Sequence, residues 1–175
     1  ICSIDGGGLR NAIPRESSAI ISFDENNLNS FKKIMKNTSQ TLADEFKETD
    51  DNINLEFELL ENRFQTLGAI ESKELINAIN ECPNGVFEMS ENIDGLVETS
   101  NNLANIRLIE GKLKIQCLTR SSSENSKDKL SKIISNIFEH IGCDIKFSGG
   151  YPGWEPNLNS ATLKEVKDSY ITLFS

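Results

Sequence analysis

The sequence predicts an α+β fold in which helices pack on one face of a mostly antiparallel sheet. Two segments repeat apolar residues at helical spacing beside segments that alternate as strands do, and one Glu-Gly step separates two alternating runs as a hairpin turn would. With 175 residues, of which 37% are hydrophobic and 26% charged, the chain has the size and composition of one globular domain. We therefore expect two strand-helix-strand units and a hairpin.

The first strand-helix-strand unit is predicted within residues 18–59. Residues 18–23 are mostly apolar and precede an Asp-Glu-Asn-Asn run, which is typical of a short strand before a helix start. Apolar residues then recur at helical spacing to about Glu48: Leu28, Phe31, Met35, Leu42 and Phe46. Strict alternation over residues 53–59 predicts a half-buried strand that closes the unit.

A short helix and the hairpin follow. Residues 72–81 place their apolar side chains on one helical face, and Pro83 ends that helix. Residues 104–108 and 113–117 both alternate apolar and polar side chains. The Glu110-Gly111 step between them predicts a hairpin turn.

The second strand-helix-strand unit is predicted to begin with the second hairpin strand. Ser121 and Glu124 have the spacing of a capping box, which predicts a helix start, and Gly142 ends the amphipathic helix. Residues 143–147 are the predicted return strand, and both crossovers should be right-handed. After a loop rich in glycine and proline, residues 159–174 are predicted to form a last helix.

Charge and cysteine usage exclude several classes of protein. The net charge of −9 argues against nucleic acid and anionic membrane surfaces, because phosphate binding needs clustered Lys and Arg. No apolar run approaches the roughly 20 residues that a transmembrane helix needs. The four cysteines are scattered, without the short spacing of a structural zinc site, so we expect four reduced thiols in a cytosolic protein: Cys2, Cys82, Cys117 and Cys143.

Several polar or aromatic features allow both a structural and a chemical interpretation. Gly6-Gly7-Gly8 could begin a phosphate loop, but Pro14 would break the following helix, so a tight turn is favoured. His140, the only histidine, is predicted to be a surface residue at a helix end. Trp154 could equally be a packing anchor or a ligand wall. The acidic pairs are predicted to be solvated rather than to bind calcium or act in acid-base chemistry: Asp24-Glu25, Asp50-Asp51, and Glu56 with Glu58.

Two runs resemble segments of the aminoacyl-histidine (Xaa-His) dipeptidases, a family of two-zinc metallopeptidases. Residues 7–16 are similar to the family's segment that ends in Arg-Asn-Ala-Ile-Pro-Arg-Glu, and residues 150–160 are similar to its Gly-x-Tyr-Pro-Gly-Trp-x-Pro segment. Three shorter runs lie between them in the family's order: Pro83-Asn84-Gly85-Val86, Val97-Glu98-Thr99-Ser100, and Cys117-Leu118-x-Arg120-Ser121. The resemblance therefore spans nearly the whole chain.

The resemblance implies that residues 1–175 are a lid and dimerisation domain of ferredoxin-like fold. Its first half would be about residues 1–85, its second half about 86–158, and helix 159–174 would lead back to a catalytic domain outside this chain. The implied parent is a cytosolic, homodimeric hydrolase with two zinc ions, cutting Xaa-His and related dipeptides. The family's zinc ligands and general-base glutamate have no counterpart here. We therefore expect no cofactor, no metal ligand and no catalytic residue in this chain, which should be inactive by itself.

The resemblance also implies two substrate-binding residues. Asn11 matches the position of an asparagine that reaches from the lid toward the substrate, where its amide would bond the substrate backbone or carboxylate; the alternative is a side chain that stabilises a turn. Arg120 would clamp the substrate carboxylate with two parallel hydrogen bonds; the alternative is a surface arginine at a strand end.

Two other functions remain open from the sequence. The chain could be a stand-alone protein-interaction or self-association module that shares only ancestry with the lid. It could also be a cysteine-based enzyme that uses Cys143 near His140, although no other feature of the sequence supports this.

Overall fold

The computed structural model describes residues 1–154 and 156–174, which form one five-stranded antiparallel sheet and four α-helices. The strands are β1 (Ser3–Gly7), β2 (Ser17–Ile20), β3 (Gly85–Met89), β4 (Val97–Ile109) and β5 (Lys112–Ser121). The helices are α1 (Leu28–Phe46), α2 (Ala69–Glu81), α3 (Glu124–His140) and α4 (Ala161–Phe174), and a 3-10 turn at Glu25–Asn27 leads into α1. The α+β class and the mostly antiparallel sheet are thus confirmed.

The sheet is assembled on β4. On one side β5 pairs with it from Thr99 opposite Ser121 to Ile109 opposite Lys112. On the other side β3 pairs with the first part of β4 and β1 with the last part, and β2 lies beyond β1. Strands from both predicted halves therefore share one sheet, while the predicted domain boundaries stay predictions.

The hairpin between β4 and β5 is confirmed. Glu110 (φ 50°) and Gly111 (φ 74°) both adopt the left-handed conformation, as the two central residues of a type I′ turn do. The strands extend beyond the alternating segments that predicted them: β4 begins seven residues before Ala104, the first residue of the predicted strand.

The tight turn predicted at the glycine run is wrong, and the phosphate loop, which the sequence already disfavoured, does not form there either. Gly6 and Gly7 are the last residues of β1, and Gly7 has a φ of 73°. A Cβ on Gly7 would lie 2.0 Å from the carbonyl oxygen of Ala104. Glycine is needed here because the backbones of β1 and β4 approach too closely for any side chain.

The core lies between the sheet, α2 and α3. Ala78, Cys82 and Phe138 are its buried centre. Half-buried side chains from β4, β5, α3 and the segment after α3 pack against it: Leu103, Ile115, Cys117, Ile134, Ile137, Ile141, Cys143 and Ile145. We call the three buried and eight half-buried residues together the core cluster.

The ends of α3 correct one prediction and confirm another. The helix cap is Ser123, whose hydroxyl accepts from the backbone of Ser126, and not Ser121. Ser121 instead bonds the buried Thr99 hydroxyl on β4 at 2.7 Å. Gly142 ends the helix with a φ of 81°, as predicted.

The two predicted return strands are wrong, and with them the two complete strand-helix-strand units and their right-handed crossovers. Residues 53–59 form neither a helix nor a strand, and they pair with no strand in the part of the chain that the structure describes. Phe57 packs edge-on against Phe31 of α1, whereas Leu59 is 63% exposed. Residues 143–147 also form no strand, because Cys143 and Ile145 pack into the core cluster instead of continuing a ladder.

The other helices agree closely with their predicted ranges. α1, α2 and α4 each begin or end within about three residues of the predicted limits, within the usual scatter of helix boundaries. Among the residues that the structure describes, no helix is both long and apolar enough to cross a membrane.

Replacing Gly7 with alanine should destabilise the fold, because the new Cβ would meet the Ala104 carbonyl and the left-handed backbone would be strained. We expect the free energy of unfolding to fall by about 2–4 kcal/mol. Gly8→Ala is the matched control, since nothing lies within 4 Å of its added Cβ. Urea unfolding followed by circular dichroism measures both variants, and equal midpoints would contradict this account.

Candidate functional site

An open cavity of about 1680 Å³ runs along β5, between α3 and the loop that includes residues 143–154. Its lining includes Arg10, Lys114, Cys117, Arg120, Lys127, Lys132, Phe138, Tyr151 and Trp154. We call this cavity the β5 groove. A smaller depression of about 340 Å³ lies between α1 and residues 55–57, and it contains none of the predicted site residues.

The β5 groove is cationic although the chain is acidic. Of the described residues that line it, six are Lys or Arg and three are Asp or Glu, in a chain with a net charge of −9. One of the six, Lys127, forms an ion pair with Glu124. A concave surface with an excess of positive charge concentrates anionic ligands, of which a carboxylate is the simplest.

Arg120 lies in the β5 groove. It is the penultimate residue of β5, pairs with Ser100 across the ladder, and is exposed. Its guanidinium is thus available to a ligand in the groove, and bidentate pairing with a carboxylate is what this group does best. The position is equally that of a surface arginine, so its role in substrate binding stays a prediction.

Asn11 lies on the exposed loop between β1 and β2, beside the groove but not in its lining. The loop is held to β4 by the Asn102 side-chain amide, which donates to the carbonyl oxygens of Arg10 (3.2 Å) and Ala12 (2.8 Å). A backbone bond from Ala12 to Leu9, 3.0 Å long, closes the turn.

The Asn11 side chain makes no hydrogen bond to another described residue. The turn is therefore stabilised by Asn102 and the backbone rather than by the Asn11 side chain. It is Arg10 that reaches across the groove, where its guanidinium donates to the Ser148 hydroxyl at 3.5 Å. The structure thus brings Arg10 and Arg120 into one groove, and the role of Asn11 stays a prediction.

The loop that carries Trp154 is anchored at the end of β5. The Gly153 amide donates to Glu124 at 2.9 Å, and a Cβ on Gly153 would lie 2.5 Å from the Ser121 carbonyl oxygen. The Lys127 ammonium, followed by the Gly153 amide, lowers the pKa of Glu124, so the accepting carboxylate stays ionised. Trp154 is 77% exposed, which favours the ligand-wall interpretation over the packing anchor. Glu155 of the same run lies outside the described residues.

The other candidate sites do not assemble. His140 is exposed at the end of α3, and Cys143 packs in the core cluster, where burial and then the Asp144 charge raise the pKa of its thiol. An activated Cys143 thiolate is therefore not supported. Among the described residues no group of three or more His, Cys, Asp or Glu side chains could hold a metal ion.

The acidic pairs serve local structure. Asp24 and Asp50 accept backbone hydrogen bonds two residues ahead, from Asn26 and Asn52. These contacts agree with the predicted solvated surface.

The sequence interpretation missed the asparagines of β4. Asn101, Asn102 and Asn105 lie in one strand, although asparagine is depleted in strands. Asn105 donates to the carbonyl oxygens of Gly6 and Gly7, both at 3.1 Å, and Asn101 donates to the Pro83 carbonyl at 2.7 Å. These three asparagines lie within a run of five residues, at and just before the strand predicted over residues 104–108. This density of asparagine was the signal that could have indicated side-chain hydrogen bonds to neighbouring segments.

Comparison with known proteins identifies a relationship over the full chain. All 175 residues align at 31% identity with the cytosol non-specific dipeptidase of Escherichia coli (strain K12), and they cover 36% of that protein. The crystal structure of the aminoacylhistidine dipeptidase from Vibrio alginolyticus superposes with a TM-score of 0.91 at 31% identity, over 99% of this chain and 35% of that one. No family model matches the chain.

The chain is therefore homologous to a partial region of the dipeptidases, and it spans about a third of the length of these relatives. The resemblance inferred from the sequence motifs is confirmed.

Replacing Gly153 with alanine should release the Trp154 loop, because the added Cβ has no room beside Ser121. Trp154 is the only tryptophan, so its fluorescence anisotropy reports the mobility of this loop, and we expect the anisotropy to fall. Gly150→Ala is the matched control, as its Cβ would meet nothing within 4 Å. An unchanged anisotropy in the Gly153 variant, with the fold intact by circular dichroism, would show that the loop is not anchored there.

Proposed function

We propose that this chain is the lid and dimerisation region of a zinc-dependent dipeptidase that hydrolyses Xaa-His and related dipeptides, and that it is inactive by itself. The observation that carries the proposal is the full-length match of this chain to about a third of two dipeptidases. The cationic groove beside the Asn11 loop supports it, because a dipeptide presents a free carboxylate.

Two zinc ions are the proposed cofactors of the parent enzyme, where they would polarise the peptide carbonyl and activate water. The described residues of this chain do not fit such a centre, since they contain one exposed histidine and no cluster of potential ligands. The proposal therefore assigns the metal ligands to residues outside this chain, and no catalytic step to the residues within it.

What the chain contributes is binding and orientation. In the proposal Arg120 pairs with the substrate carboxylate, the Asn11 amide bonds the substrate backbone, and Trp154 forms an apolar wall that limits water. Such contacts lower the barrier by holding the dipeptide in a reactive position rather than by taking part in bond breaking. Asn102, which bonds the carbonyls on both sides of Asn11, is the residue that positions that amide.

We also propose that the parent is a cytosolic homodimer in which this chain supplies subunit contacts. Neither α1 nor α4 has a buried residue among those described, and both carry exposed apolar side chains such as Ile34 (61%) and Leu173 (73%). Exposed apolar side chains that lie together on a surface often mark an interface with another protein surface. The Escherichia coli relative is described as a cytosol enzyme, which supports the location.

The same exposed faces favour the second candidate, a stand-alone interaction or self-association module. Sedimentation equilibrium of the chain tests the self-association that both proposals expect. We expect a dimer at micromolar concentration, and a monomer at every concentration would contradict the proposed subunit contacts.

The activity itself is tested with the product of the complete reading frame that contains this chain. With zinc or manganese it should hydrolyse an Xaa-His dipeptide, whereas residues 1–175 alone should not. Metal-dependent turnover by the chain alone would overturn the proposal. No turnover by the complete product would favour the interaction module.

Arg120→Ala in the complete product should lower kcat/KM by about 10- to 100-fold, because a hydrogen bond to a charged group is worth roughly 1.5–3 kcal/mol. Arg107→Ala is the matched control: Arg107 is another strand arginine, paired with Asp5 at 3.2 Å and outside the groove. With a dipeptide amide, which lacks the carboxylate, the Arg120 variant and the wild type should converge. A defect of equal size on both substrates would contradict the carboxylate clamp.

A further inference from the structure

Three of the four cysteines meet in the core cluster, although they are far apart in the sequence. Cys82 belongs to the buried centre of the cluster, and Cys117 and Cys143 pack against it. All four cysteines are free thiols. The proposed dipeptidase role uses none of them, so their convergence has no explanation in that role.

Two hydrogen bonds, each with an asparagine side chain as one partner, fix the segment after Cys82 on the sheet that carries Cys117. Cys82 ends α2 in an extended conformation (ψ 118°), and the next two residues turn onto the sheet. There the Asn101 amide donates to the Pro83 carbonyl at 2.7 Å, and the Leu103 amide donates to the Asn84 side chain at 2.8 Å.

The strand register then places Cys117 at the same point. Leu103 lies directly opposite Cys117 in the β4–β5 ladder. Because residues opposite each other in an antiparallel ladder have closely spaced Cβ atoms, the bond that holds Asn84 on Leu103 also holds Cys82 near Cys117. The end of α2 is thereby tied to β4 at the residue that lies opposite Cys117.

The two thiols differ in exposure and in acidity. Cys82 is 5% exposed, whereas Cys117 is half-buried and lines the β5 groove. The neighbouring Cys82 thiol lowers the pKa of Cys117 against the opposing effect of burial, and the Asn101 side chain adds to the lowering. The same contact with Cys117, followed by burial, raises the pKa of Cys82. The inner thiol is thus the less acidic of the two, and the outer one is both the more acidic and the more accessible to a dissolved oxidant.

We propose that Cys117 and Cys82 form a two-thiol oxidation site for small hydroperoxides, in which Cys117 is the peroxide-reactive residue and Cys82 the resolving one. The Cys117 thiolate attacks one oxygen of hydrogen peroxide; an S–O bond forms, the O–O bond breaks, and hydroxide leaves and becomes water by taking a proton. The Cys82 sulfur then attacks the sulfenic sulfur, the S–S bond forms, and the S–O bond breaks with loss of water. In sum, two thiols and one peroxide give one disulfide and two waters.

Strand register and acidity together favour this pair over the other cysteines. Cys143 lies in the same core cluster and also lines the β5 groove, but it follows α3 outside the sheet, whereas Cys117 lies opposite Leu103, which holds Asn84. Burial and the Asp144 charge also raise the pKa of the Cys143 thiol, which disfavours it as the attacking group. Cys2 is buried next to β1 and lies outside the core cluster. A Cys82–Cys117 disulfide would link the end of α2 to β5, three residues from Arg120. The inference does not depend on the proposed dipeptidase function.

The test treats the folded chain with a small excess of hydrogen peroxide, unfolds it, alkylates the remaining thiols and maps its peptides by mass spectrometry. We expect two of the four thiols to be lost, one peptide pair to be linked through Cys82 and Cys117, and dithiothreitol to restore all four. Four unmodified thiols, or a bridge that includes Cys2 or Cys143, would overturn the proposal.

Single variants separate the two roles. Cys82→Ser should abolish the bridge and leave a Cys117 sulfenic acid that a dimedone probe traps, whereas Cys117→Ser should leave Cys82 unoxidised. Cys143→Ser is the matched control from the same cluster and should form the bridge as the wild type does. If a variant fails to fold, the peptide map of the unaltered chain still decides, because it identifies the linked residues directly. A dimedone adduct on Cys143 instead of Cys117 would contradict the assignment.

Discussion

The structure depends on the hydrogen bonds of one strand, β4, which has neighbours on both sides. β5 occupies one side throughout, but the other side is shared by β3 and β1, and a gap opens between them near Leu103. Backbone groups at such a gap need other partners, since an unsatisfied buried amide or carbonyl costs about 1–3 kcal/mol. The Asn84 side chain accepts from the Leu103 amide, and the Asn105 side chain donates to the last two carbonyls of β1. Side-chain amides thus complete the ladder where no strand does.

The same gap determines where the candidate sites lie. The Asn102 amide holds the loop that carries Asn11 and Arg10, and it does so from the middle of β4, where a strand would otherwise cover it. At the same gap, the bond between the Leu103 backbone N–H and the Asn84 side chain holds the end of α2, and with it Cys82, beside the residue that lies opposite Cys117. The Asn11 loop and the segment that carries Cys82 are therefore anchored at neighbouring residues of one strand. A change that loosened this gap would disturb both.

The sequence predicts local structure well here and predicts pairing poorly. The four helices, the hairpin turn at Glu110 and Gly111, and the Gly142 helix end follow from periodicity and turn chemistry, which neighbouring residues determine. The strand predicted over residues 53–59 failed because alternation reports a half-buried surface and not a partner, and Phe57 packs on α1 instead. The glycine run was misjudged because its requirement for glycine comes from Ala104, about 97 residues away in the chain. Arg120 was selected from a motif resemblance and its role stays a prediction, whereas the cationic groove around it is assembled by β5, α3 and a loop, so no local pattern could reveal the groove.

The charges of the β5 groove indicate what kind of selectivity this region could give to the proposed enzyme. An arginine that pairs with a terminal carboxylate contributes binding free energy only when the substrate places its carboxylate within reach of the guanidinium. A longer peptide would place an uncharged amide there and leave the guanidinium desolvated without a partner, which costs more than the lost attraction alone. Selection for dipeptides would then come from the penalty on longer substrates as much as from attraction to short ones. The cationic walls of the groove would therefore discriminate between ligands by the charge and position of the terminal group.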